Sequence, residues 1–177
     1  NPANIGLRLG GDYYPTKSST ISYTYMFGNH DETTKEQLEY VNPFSRITES
    51  RSKDTGLHHD HSLSYENKFG TNDRKLTASI DLNFEEDDIV QYNIENSSII
   101  NDLGTNSDTD VKEKNESQTL RIDYEDDLSE TLSIETGLKA TLKSFSTDYN
   151  YLEQLYNNNY DEDIYAAYAS LTYDITE

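Results

Sequence analysis

Lys75-Leu76-Thr77-Ala78-Ser79-Ile80-Asp81-Leu82-Asn83-Phe84 decides the fold. Leu76, Ala78, Ile80, Leu82 and Phe84 fall on every second residue, with Lys75, Thr77, Ser79, Asp81 and Asn83 between them. Side chains alternate across a strand with period two, so this decapeptide reads as a strand with one oily and one wet face. The pattern recurs. Ile21, Tyr23, Tyr25 and Phe27 oppose Ser22, Thr24 and Met26, while Leu132, Ile134, Leu138, Ala140 and Leu142 oppose Glu135, Lys139, Thr141 and Lys143.

Outward from these segments the spacing predicts seven strands. The first runs from about Asn4 to Tyr14, with Ile5, Leu7, Leu9 and Tyr13 opposite Arg8 and Asp12. The second covers about Thr20 to Gly28, the third Leu57 to Phe69, with Leu63, Tyr65 and Phe69 on one face, and the fourth Arg74 to Glu85. The fifth carries Gln118, Leu120, Ile122 and Tyr124 opposite Thr119, Arg121 and Asp123, and the sixth follows from Leu132. The seventh places Tyr165, Ala167, Ala169, Leu171, Tyr173 and Ile175 on one face, opposite Tyr168, Ser170, Thr172 and Asp174.

Short turns are expected at Tyr14-Pro15-Thr16-Lys17-Ser18, Gly70-Thr71-Asn72-Asp73 and Glu125-Asp126-Asp127-Leu128-Ser129. Pro presets φ, and Gly, Asn and Asp tolerate or favour turn geometry. Long polar loops are expected over Asn29 to Thr55 and Glu86 to Glu116, and a shorter one over Thr147 to Asp161. Ile89 to Tyr92 has the composition to extend the fourth strand beyond a bilayer.

Connections that are short at one end and long at the other match the wall of a transmembrane β-barrel, with long loops outside and short turns in the periplasm. Aromatics agree: Tyr13, Tyr14, Phe69, Tyr124 and Tyr173 lie near the short turns, and Tyr25, Phe27, Phe84, Phe145 and Tyr165 near the long loops. Amphipathic rings gather at both membrane interfaces. An odd count of seven implies a longer barrel, since bacterial single-chain barrels have even numbers of strands. The fold class is all-β: an antiparallel meander of long amphipathic strands, residues 1–177 forming a single segment of a barrel wall.

Composition suits this reading. Only 33% of residues are hydrophobic, and 34 acidic against 14 basic residues leave a formal charge of -20. Such values ordinarily signal disorder, but fifteen Tyr and five Phe in strand phase oppose it. Lipid requires only alternate residues to be apolar. The acidity and the lack of a basic run argue against nucleic acid, which is bound through clustered cations. Without cysteine there is no disulfide framework and no thiolate metal site. Asn1-Pro2-Ala3-Asn4 has neither the basic start nor the apolar run of a signal peptide, so an internal piece of a longer chain is expected.

Asn1-Pro2 leading into Leu7-Arg8-Leu9-Gly10-Gly11-Asp12-Tyr13-Tyr14, then Leu63-Ser64-Tyr65-Glu66-Asn67-Lys68-Phe69 and Leu132-Ser133-Ile134-Glu135-Thr136-Gly137-Leu138-Lys139-Ala140, carry a resemblance along nearly the whole chain. It resembles the C-terminal barrel region of the outer-membrane β-barrel family related to TonB-dependent receptors in Bacteroidetes-type bacteria. The resemblance implies a large barrel in the outer membrane with a plug region, a lipid bilayer around it, and transport of a ligand caught by the extracellular loops.

Candidate chemistry is sparse. In His58-His59-Asp60-His61, alternation puts His59 and His61 on one face and His58 and Asp60 on the other, with His30 able to approach across the loop. A zinc site needs three or four converging ligands, and an exposed polar strand end is the favoured account. Glu85-Glu86-Asp87-Asp88, Asp161-Glu162-Asp163 and the Asp102 to Asp110 stretch have the oxygens of calcium loops without the spacing of an EF-hand. The expectation is therefore no catalytic residue, no cofactor and no metal site, and a chain that is not an enzyme. The alternative is a soluble secreted all-β binding or adhesion module, which would bury one sheet face against a second sheet.

Overall fold

The computed structural model describes residues 3–40, 46–70, 74–97 and 106–174. Seven strands follow one another: β1 (Ala3–Thr16), β2 (Ser19–Tyr40), β3 (Arg46–Phe69), β4 (Arg74–Ser97), β5 (Asn106–Ser129), β6 (Leu132–Tyr151) and β7 (Gln154–Tyr173). They form one sheet in the order β1-β2-β3-β4-β5-β6-β7, each antiparallel to the next.

The register carries the alternating faces across the whole sheet. Leu9, Tyr25, His61, Leu82, Gln118, Leu142 and Asp163 occupy one continuous rung, and Leu7, Phe27, His59 and Phe84 the next. No apolar side chain is buried among the described residues, while Leu7, Leu63, Ile80, Leu120, Leu138 and Leu171 stand exposed. A soluble sandwich would cover that face with a second sheet, and none is present among the described residues.

The apolar band also runs obliquely to the register. Its upper edge begins at Ile5, which pairs with Asn29. In β7 it begins at Tyr165, which connects through Ala140, Leu120, Ile80 and Leu63 to Tyr23. The edge thus drops six residues in six strand-to-strand steps. One residue per strand, at a rise of about 3.3 Å and a spacing of about 4.8 Å, corresponds to strands tilted by about 35°. Membrane barrels tilt their strands by about 35–45°.

Four corrections to the sequence reading concern connections. The polar stretches after Asn29 and Glu86 are mostly strand. Pairing continues from Asp31↔Thr55 to Tyr40↔Arg46 and from Asp87↔Glu113 to Ile94↔Asn106. Backbone bonds propagate from the zipped membrane part, and opposite charges face each other across the arms. Lys114 pairs with Glu86 at 3.0 Å, Lys112 with Asp88 at 4.0 Å, and Lys53 lies 3.6 Å from Asp31. The tips at 41–45 and 98–105 lie outside the described residues, as do 71–73 and Ile175. The 24-residue strands reach about 80 Å along their length at about 3.3 Å per residue. The apolar band needs only about 9–11 of those residues.

The first turn is also tighter than expected. Pro15 and Thr16 stay in β1 behind a register shift, leaving Lys17-Ser18 as the turn. Pro lacks a donor and sits well at a bulge. Thr16 Oγ1 accepts from Ser18 N at 3.3 Å and lies 2.8 Å from Ser19 Oγ, closing the hairpin. The third short turn falls at Glu130-Thr131, because Asp126, expected in the turn, is held in β5 by partners on its own face. The third outer connection shrinks to Leu152-Glu153, with φ of 48° and 63° between paired Tyr151 and Gln154. Positive φ at both central residues makes it a type I′ hairpin turn.

Candidate functional site

The wet face is built from ion pairs and hydroxyls that neutralise one another. In its centre Arg121 Nε lies 2.7 Å from Asp123 Oδ2, and the Tyr168 hydroxyl is 2.7 Å from Asp123 Oδ1 and 2.9 Å from Glu135 Oε1. Asp123 is 9% exposed. Gly137, register-paired with both Asp123 and Tyr168, lets the ring lie across it; a Cβ there would strike Tyr168 and Asp123. Nearer the short turns Lys75 pairs with Glu125 at 2.8 Å. Towards the outside Lys143 pairs with Glu162 at 3.4 Å, and Asn83 donates to Asp60 at 2.8 Å. Thr119 and Thr141 hydroxyls meet at 3.2 Å. This wall suits contact with water or a polar plug.

The oily face is bounded by two girdles. At the short-turn rim Asp126, 6% exposed, accepts from Arg74 Nε at 3.0 Å and from the Tyr124 hydroxyl at 2.9 Å, and Phe69 packs 6.3 Å from Tyr124. At the outer rim the histidine run divides by alternation. His59 and His61 join the girdle on the oily face, with the Tyr25 hydroxyl 2.8 Å from His59 Nδ1 and that of Tyr23 2.8 Å from His61 Nδ1. The Phe27 and His59 rings lie 5.2 Å apart. Phe145 departs from the expected girdle: it pairs with Asn115 and Tyr160 on the wet face.

His58 and His30 stand on the wet face in an interlocked arrangement. The His58 ring covers Gly28 on β2, and the His30 ring covers Gly56 on β3. His30 does not join the histidine run; its near neighbours are Asp54 Oδ1 at 3.2 Å and Asp87 Oδ1 at 3.8 Å. These three ligand atoms lie within 4.8 Å of one another. Burial, and then the neighbouring Glu85, hold the Asp87 carboxyl above its ordinary range; it lies above the apolar band. Sequence reasoning missed Asp54 and Asp87 as partners of His30. The signal was the pairing of His30 with Gly56, which only the register reveals. The acidic run is split between faces, Glu85 and Asp87 on the wet side, Glu86 and Asp88 on the outer side beside lysines.

On the long hairpin arms a hollow of about 1090 Å³ is lined by Lys35, Arg51, Lys53, Tyr92 and Ile94 among others. Lys35, Arg51 and Tyr92 share one rung of the outward face.

No curated protein matches the chain. Among solved structures, the ferric yersiniabactin uptake receptor FyuA from Yersinia pestis superposes with a TM-score of 0.66 at 8% identity, over 96% of this chain and 25% of that one. The ferric citrate transporter FecA in its unliganded form gives 0.64 at 12% identity, over 99% and 26%. The siderophore receptor PiuA from Acinetobacter baumannii gives 0.59 at 13%, over 99% and 30%. Likeness at these identities is likeness of fold, and the chain spans between a quarter and a third of each receptor. Residues 67–177, from the end of β3 through β7, match a family of outer-membrane proteins. With its oblique apolar band, its two girdles and its paired wet wall, the chain belongs to the outer membrane protein beta-barrel family and resides in the outer membrane.

Proposed function

We propose that this chain is part of the wall of a TonB-dependent-receptor-like protein that takes a ligand across the outer membrane. The observation that carries the reading is the combination of a membrane-phased sheet with hairpin arms that continue well beyond the band, on a fold shared with uptake receptors. In this reading the remaining strands close the barrel against the free edges of β1 and β7, and a plug rests on the mixed-charge wet face. The extended arms catch the ligand. The wall encloses and binds, and catalysis plays no part in its work.

The test is transport by the parent protein. Cells lacking it should leave in the medium one solute that wild-type cells deplete, and collapse of the inner-membrane proton gradient should abolish the difference. Identical depletion profiles would refute the uptake reading. Orientation has its own check, since the segment holds no cysteine. On intact cells Leu152→Cys should react with a membrane-impermeant maleimide, and Glu130→Cys only after permeabilisation. The reverse pattern would invert the wall.

A further inference from the structure

Three consecutive strands each place one metal-ligating side chain at the same spot on the wet face, just above the apolar band. His30 comes from β2, Asp54 from β3 and Asp87 from β4. The geometry depends on a glycine. Gly56 pairs with His30 on one side and with Asp87 on the other, and a Cβ there would strike both side chains. Its absence lets the imidazole and the carboxylate converge over the β3 backbone, while Asp54 reaches the same point from two residues away on the same face.

His30 Nε2 is 3.2 Å from Asp54 Oδ1 and 3.8 Å from Asp87 Oδ1. A tetrahedral Zn²⁺ holds nitrogen and carboxylate oxygen at about 2.0–2.2 Å, so neighbouring ligand atoms lie about 3.3–3.6 Å apart. The observed spacings bracket that edge. A second observation points the same way: Asp87 Oδ1 is shut off from solvent and has no hydrogen-bond partner among the described residues. A buried acceptor left unmade is costly. Glu85, Asp54 and Glu113 add further negative potential at Asp87, which favours a cation at this spot.

We propose that His30, Asp54 and Asp87 form a divalent transition-metal site, completed by water, that staples β2, β3 and β4 at the outer mouth of the barrel. One imidazole and two carboxylates suit a borderline ion such as Zn²⁺. Ca²⁺ takes six to eight oxygens and finds only two carboxylates and a nitrogen here. The site rests on the barrel wall alone and does not depend on which ligand, if any, the parent protein carries.

The experiment is calorimetric titration of Zn²⁺ into the purified full-length parent in detergent, with folding of each variant confirmed by heat-modifiable gel migration. His30→Ala and Asp87→Asn should each weaken one equivalent of binding by at least the roughly 10–100-fold that loss of even an outer-shell partner costs. His58→Ala, which removes the other wet-face histidine of this rim, should leave that equivalent intact. Ca²⁺ at the same concentration should not displace the Zn²⁺. Undiminished binding by His30→Ala, equal loss in His58→Ala, effective competition by Ca²⁺, or no binding by the wild type would each overturn the site.

Discussion

Exchanging the polarity of two adjacent residues in β6 should have opposite consequences. Leu138 sits between Ile122 and Ala167 on its rung, midway along the oily stretch from Ile134 to Leu142, and is 60% exposed on the sheet. Lipid covers that exposed part. Full burial of a leucine is worth about 1.5–3 kcal/mol, so the part facing lipid contributes about 1–2 kcal/mol. Arginine at mid-bilayer costs about 2–4 kcal/mol more. Leu138→Arg should therefore destabilise the membrane-inserted barrel by about 3–6 kcal/mol, about 10²–10⁴ in the folding equilibrium at about 1.4 kcal/mol per decade. Lys139 lies one residue on, opposite Arg121 and on the wet face. Lys139→Leu relieves a like-charge pair and should stay within about 0.5 kcal/mol of wild type. The assay is urea-dependent folding of the full-length parent into lipid vesicles, with the folded fraction read from unboiled gel migration. Equal midpoint shifts, or a larger one for Lys139→Leu, would refute the assignment of faces.

Three further outcomes follow from named contacts. Arg74→Ala strips the charged partner from nearly buried Asp126; because Arg74 is itself half-exposed, a loss of about 1–2 kcal/mol in the same assay is expected, with Asp126→Asn milder. No change in either variant would remove the short-turn girdle from the account. Gly137→Ala should destabilise strongly in the wild type and less in a Tyr168→Ala background, where the added methyl meets Asp123 but no longer the ring; additive effects in the double-mutant cycle would deny the ring contact. Leu152→Asn with Glu153→Gly should slow hydrogen exchange at the tip of the β6–β7 hairpin. Positive φ costs an ordinary side chain about 1–2 kcal/mol per residue, so unchanged or faster exchange would contradict the turn type.

The same contacts explain what the sequence made legible. Within the bilayer the solvent imposes a strict rule, so Leu76 to Phe84 or Leu132 to Leu142 announce their faces residue by residue, and strand number and order follow. Above the bilayer both faces meet water and alternation loses its meaning. Lys53, Asp31, Lys112 and Asp88 then read as loop although they are cross-strand pairs. Asp126 reads as a turn residue for a similar reason. Its partner Arg74 is 52 residues away in sequence, and only the β4–β5 register brings them together. His30, Asp54 and Asp87 are the extreme case: the sequence draws His30 toward the histidine run and Asp87 into an acidic run, and nothing in either segment joins them to each other or to Asp54. What makes them a constellation is a glycine at the one position where a side chain would hold them apart. Register is therefore the quantity that converts this sequence into a site. The membrane fixes it indirectly, because a slip of one residue would turn every leucine of a strand from lipid to water. The arrangement over Gly56 is thus set by apolar residues on the opposite face and lower in the wall. A substitution such as Leu138→Arg, which strains that register from β6, should leave the His30 site intact only while β2, β3 and β4 stay zipped through Tyr23, Leu63 and Ile80.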